Sequence, residues 1–94
     1  IEQKQLNNKR VFLFVGRLVV QKNVTSLLTA FSILNQHDNV LVIIGDGVLL
    51  PQLKKLCDNL NINVFFAGRL EGDNLWAWYN IADIFVFLNH LELL

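Results

Sequence analysis

Val11-Phe12-Leu13-Phe14-Val15-Gly16-Arg17-Leu18-Val19-Val20-Gln21-Lys22-Asn23-Val24 is the stretch on which the fold turns. Its first five residues form an unbroken apolar run, rich in β-branched and aromatic side chains. Strands that read this way are buried on both faces, as in a parallel sheet covered by helices. Gly16 permits a tight exit from such a strand. A different period begins at Val24: Val24, Leu27, Leu28, Phe31 and Leu34 fall on one face of a helix, with Asn23 placed as its N-cap.

The same alternation continues outward. Three more apolar runs follow, Val40–Ile44, Val64–Ala67 and Ile84–Leu88. Between them, Leu49, Leu53, Leu56, Cys57 and Leu60 share one face of a second helix, with Pro51 in its first turn, where a missing N–H costs nothing. A shorter third helix is predicted from Asn74 to Asn80, with Asp73 as N-cap. Of the asparagines, Asn7, Asn8, Asn39, Asn61 and Asn63 are expected at turns. Strand–helix repeated three times before a fourth strand predicts an α/β fold. The expected form is a Rossmann-like, doubly wound parallel sheet of four strands, order 3-2-1-4, with right-handed crossovers and helices on both faces.

Composition sets the limits. Ninety-four residues make one small domain. With 53% hydrophobic and 17% charged residues the chain is not disordered, and its core is large for its length. Eight basic and eight acidic residues cancel, which argues against a nucleic-acid partner. Cys57 is the sole cysteine, so no internal disulfide or thiolate zinc cluster can form; a reducing, cytoplasmic setting fits. No apolar run reaches the roughly 18 residues of a membrane span, and the segment from Ile1 to Arg10 is polar. The chain has no methionine and ends on Leu93-Leu94. Residues 1–94 therefore read as a single partial domain cut from a longer protein. Truncation at the fourth strand would leave an apolar edge, from which homodimerisation is expected.

Ligands in doubly wound sheets bind beyond the carboxyl ends of the strands, where the strand order reverses. After the first strand, Arg17 and Lys22 put two cations on a loop that ends at a helix N-terminus, an arrangement suited to phosphate. The plainer reading is a pair of solvated loop charges. After the fourth strand, Glu92 can approach the same crevice, where it would take sugar hydroxyls, or it is simply an exposed charge. Gly45-Asp46-Gly47 after the second strand is a tight turn, or a place where backbone passes close to a ligand. Gly68-Arg69 follows the third strand. His37 reads as a solvated turn histidine, His90 as structural and Cys57 as core, and no acid or histidine spacing suggests a metal. Trp76 and Trp78, two apart and so about 200° apart on a helix, cannot both face the sheet.

These residues in this order resemble the glycosyltransferase family 4 group, the group 1 glycosyl transferases. The resemblance rests on Val15-Gly16-Arg17-Leu18 with Gln21-Lys22, Ile44-Gly45-Asp46-Gly47, Val64-x-Phe66-x-Gly68 and Tyr79-x-x-Ala82-Asp83-Ile84-Phe85-Val86. It implies the first half of the C-terminal, nucleotide-sugar-binding domain of a GT-B enzyme that transfers sugar with retention and without a bound metal or other cofactor. It implies that Arg17 and Lys22 hold the donor diphosphate, that Glu92 faces the donor sugar, and that Arg69 and Leu70 lie near the base. Gly16, Gly45 and Gly47 join them in the donor-binding set. It also implies an N-terminal acceptor domain absent from this chain, an inactive isolated fragment, and a parent peripheral at the inner face of the membrane. The chain departs from the family at Asn23, where glycine is usual, at Leu88-Asn89, where proline-serine is usual, and at Leu94. A non-catalytic assembly module and a nucleotide-sugar epimerase are the competing readings.

Overall fold

The computed structural model describes residues 8–87, Asn35 and the side chain of Gln21 excepted. The far end of the fourth strand, His90 and Glu92 lie outside the described residues, as does Asn7. In chain order the elements are β1 (Arg10–Val15), a 3-10 turn (Val20–Lys22), α1 (Val24–Phe31), β2 (Asn39–Ile44), α2 (Leu50–Leu60), β3 (Val64–Gly68), α3 (Gly72–Ile81) and β4 (Ile84–Phe85). The strands are parallel and ordered β3-β2-β1-β4. This is the doubly wound topology expected from the sequence.

Period-two alternation divides the sheet between two cores. Phe14, Leu41 and Ile43 face one side, where α1 and α2 cover them with Val24, Leu28, Phe31, Leu53 and Cys57. Val11, Leu13, Val42 and Ile44 face the other, where α3 covers them with Trp78. Burying each such side chain contributes about 1.5–3 kcal/mol, so the two central strands carry most of the cohesion. Of the two tryptophans, Trp78 is 7% exposed and Trp76 is 62% exposed. One faces the sheet and the other faces away, as their spacing requires.

Several local expectations need correction. Burial on both faces holds for β1 and β2, whereas β3 is an outer strand whose Phe65 is exposed. The first helix stops at Phe31 and does not reach Leu34. The chain tightens there into turns in which Ile33 N donates to Ala30 O and Leu34 N to Phe31 O. Gln36 Nε2 closes that end by donating to Phe31 O at 3.1 Å and Leu34 O at 3.0 Å. The third helix begins at Gly72, with Glu71 as N-cap and Asp73 inside the first turn, where a carboxylate suits the helix dipole. Asn39 opens β2 and is buried, because Arg10 N donates to Asp38 O and extends the ladder one step upstream. The described β4 is two residues long; Val86 N adds one more bond, to Leu13 O, and Phe87 is exposed.

Asn23 stands at the head of α1 without acting as a side-chain cap. Its backbone is left-handed, φ 56°, and its Oδ1 accepts from Ser26 Oγ at 2.8 Å. Glycine and asparagine are the residues that visit this conformation most readily. Asparagine in place of the usual glycine therefore keeps the backbone path. Asn8 and Asn61 are left-handed as well, in keeping with the turn roles read for them.

Candidate functional site

The loops that leave β1, β2 and β3 at their carboxyl ends are bonded to one another. Gly16 N donates to Ile44 O at 2.9 Å, Leu18 N to Asp46 O at 2.9 Å, Leu49 N to Leu18 O at 3.1 Å and Gly45 N to Gly68 O at 2.8 Å. The parallel ladder thus runs on past the strands. Leu18, fully buried, anchors the first loop in the core under α1 and α2.

The close approach explains two glycines. At Gly45, φ is +136° and a Cβ would lie 1.8 Å from Gly16 O. At Gly47 a Cβ would lie 2.4 Å from Leu18 O. Both are required by loop-to-loop packing: the close backbone approach at this turn is to the β1 loop.

Above the stitched loops lies an open cavity of about 440 Å³, lined by Val15, Gly16, Arg17, Ile44, Gly45, Asp46, Arg69 and Leu70. Of the predicted site residues it brings together Gly16, Arg17, Gly45, Arg69 and Leu70. Gly47 is not among the lining residues and packs against the Leu18 carbonyl. Lys22 ends the 3-10 turn ahead of α1 and is exposed, and it is not among the residues lining the cavity. Ser26 N, one of the helix-start donors, is taken by Asn23 O at 3.2 Å.

Arg17 is exposed and makes no ion pair among the described residues. Arg69 lies 3.8 Å from Glu71, with both side chains mostly exposed, a pair that contributes little. Both guanidinium groups are therefore available to an anion, one from each outer loop of the groove. The sequence reading missed Asp46 as a groove residue, along with the apolar walls Val15 and Ile44. The signal was present in Gly45-Asp46-Gly47, but two flanking glycines read first as a turn. Among the described residues no group of histidine, cysteine or acid side chains could hold a metal ion. None of their helices is long and apolar enough to cross a membrane.

A family model described as "Glycosyl transferases group 1" matches residues 1–94. An uncharacterized glycosyltransferase of Methanocaldococcus jannaschii is 39% identical over 83 residues, 85% of this chain and 21% of that protein. The alpha-monoglucosyldiacylglycerol synthase of Streptococcus pneumoniae is 33% identical over 84 residues, 85% of this chain and 19% of that protein. The chain thus spans about a fifth of the length of these curated relatives. Among solved structures, the C-terminal domain of a glycosyl transferase group 1 family protein from Francisella tularensis superposes with a TM-score of 0.78. It is 20% identical, and the match covers 95% of this chain and 51% of that one. At that identity the likeness concerns the fold, which is that of a GT-B C-terminal domain.

Proposed function

The chain belongs to the group 1 glycosyl transferases, and on that premise we propose that it is the donor-binding part of a retaining sugar transferase. It grips the diphosphate of a nucleotide sugar at the carboxyl ends of β1 to β3. The observation that carries this reading is the groove itself, with Arg17 on one outer loop, Arg69 on the other, and the bonded backbone of three loops beneath. In the transfer, the bond between the anomeric carbon and the diphosphate oxygen breaks, and negative charge gathers on the leaving diphosphate. Arg17 and Lys22 neutralise it. Such positioned charges are commonly the largest contribution to catalysis, and each charge-assisted bond is worth about 1.5–3 kcal/mol. Arg69 and Leu70 lie toward the base, and the role proposed for Glu92 is to accept hydrogen bonds from the donor sugar's hydroxyls. The acceptor side of the cleft belongs to an N-terminal domain, so the 94-residue chain binds donor without transferring it.

The nucleotide sugar sets the location as cytoplasmic. The pneumococcal relative, named as a synthase of a glucosyl lipid, supports a parent working at the inner face of a membrane. The test is an amide NMR titration of the chain with UDP, GDP and ADP, repeated on Arg17→Ala. Shifts centred on residues 16–23 and 69–70, with affinity lowered about tenfold or more in the variant, are expected. A folded sample that shows no shift at millimolar nucleotide overturns the reading.

A further inference from the structure

Among the described residues, Asp46 is the one acid lining the groove, set between two cations. It comes from β2, and the sheet order places β2 between β1, which supplies Arg17, and β3, which supplies Arg69 and Leu70. Its neighbours Gly45 and Gly47 sit against the carbonyls of Gly16 and Leu18, with no room for side chains there. Asp46 itself is exposed and lines the groove. Its backbone is held by Leu18 N, which donates to Asp46 O at 2.9 Å. Its carboxylate makes no hydrogen bond or ion pair among the described residues. A fixed backbone thus presents an uncommitted carboxylate at the middle of the groove.

Its chemistry narrows what it meets. A carboxylate repels a diphosphate, and that repulsion grows in a cleft where water is partly excluded. It accepts hydrogen bonds only, and the donors that a nucleotide offers it are neutral hydroxyls and base N–H groups. With the diphosphate at the β1 loop and the base at the β3 loop, the group spanning the β2 loop is the sugar that joins them. We propose that Asp46 is a donor-binding residue that accepts hydrogen bonds from the ribose hydroxyls of the nucleotide. The same logic puts an acid on the ribose in dinucleotide-binding sheets, though by a different loop motif. This assignment rests on the donor-binding reading above and adds a residue to it.

The experiment measures binding of UDP, GDP and ADP, and of their 2′,3′-dideoxy counterparts, to the 94-residue chain and to Asp46→Asn and Asp46→Ala. Circular dichroism checks that the fold is retained, as expected for an exposed side chain whose backbone makes the structural bond. The expected result is about a tenfold or greater loss for the ribonucleotide in the variants, the scale of one or two bonds to a charged group. The dideoxynucleotide should lose no affinity in the variants. Equal changes for both nucleotides, or tighter binding of both once the negative charge is gone, would overturn the assignment while leaving the donor site in place. Failure of every nucleotide to bind the folded wild-type chain would remove the donor reading and this assignment together.

Discussion

A Cβ at Gly45 would stand 1.8 Å from the carbonyl oxygen of Gly16, so the loops after β1 and β2 touch through backbone alone. The contact fixes the height at which Gly16 and Arg17 leave the sheet. It also ties the floor of the groove to the most deeply buried strands. Whatever binds there meets a surface already set by the core, which lowers the ordering cost of binding.

Gly45→Ala should accordingly be among the most damaging single changes. It combines a backbone conformation that L residues rarely adopt with an overlap against backbone that cannot swing aside, each costing about 1–3 kcal/mol. Gly68 is the control: its φ is +78°, but nothing lies within 4 Å of its Cβ position. Gly68→Ala should lose only the left-handed penalty of about 1–2 kcal/mol. Urea unfolding of both variants checks the difference, and equal losses would mean that the loop contact is not rigid.

Asp83 joins the two ends of the described chain. Its Oδ2 accepts from Val11 N at 2.7 Å, and its own N donates to Val11 O at 2.9 Å. The pair docks β4 onto β1, where the strand itself contributes only two residues. Asp83→Ala removes a bond to a charged acceptor, worth about 1.5–3 kcal/mol at most, and Asp83→Asn, which keeps an acceptor, should lose less. The check is thermal unfolding together with hydrogen exchange at Val11, whose amide should lose protection in the alanine variant.

The sequence showed β1 and β2 clearly because burial on both faces leaves room for only one kind of residue. Val11–Val15 and Val40–Ile44 could hardly be anything else. It showed the wrong end for α1 because Leu34 keeps helical spacing, while the closure depends on Gln36 reaching back to the Phe31 carbonyl. Arg17 and Arg69 were legible as groove residues from their places after strands. Asp46 was not, because the reason for its flanking glycines is contact with Gly16 and Leu18, residues close in space but distant in the chain. Periodicity reads a residue's own element well and the element it leans on poorly.

Trp76 and Trp78 should respond oppositely to the same change. Trp78 is 7% exposed in the core beneath α3, and Trp76 is 62% exposed, touching Tyr79 with ring centroids 5.3 Å apart. Trp78→Ala should cost about 3–5 kcal/mol. Trp76→Ala should cost no more than about 1 kcal/mol, the scale of one ring pair. In single-tryptophan variants that keep the other position as Phe, acrylamide should quench Trp76 readily and Trp78 poorly. Similar quenching of both would contradict the packing of α3 on the sheet.

Cys57 offers a readout of folding through its thiol. It is buried on the face of α2 that meets the sheet, and burial, with the Asp58 carboxylate beside it, pushes its pKa from 9.0 up to about 11. The thiolate is the reactive form, so alkylation of the folded chain at pH 8 should be slow and should rise along the urea unfolding curve. The sign for stability follows from proton binding. As pH climbs past 9.0 the unfolded chain gives up this proton first while the folded chain keeps it until about 11. The folded state therefore loses stability across that window. The quantity to measure is the difference between wild type and Cys57→Ala. Urea midpoints should fall more steeply with pH in the wild type than in the variant, and parallel profiles would show that the thiol ionises as freely folded as unfolded.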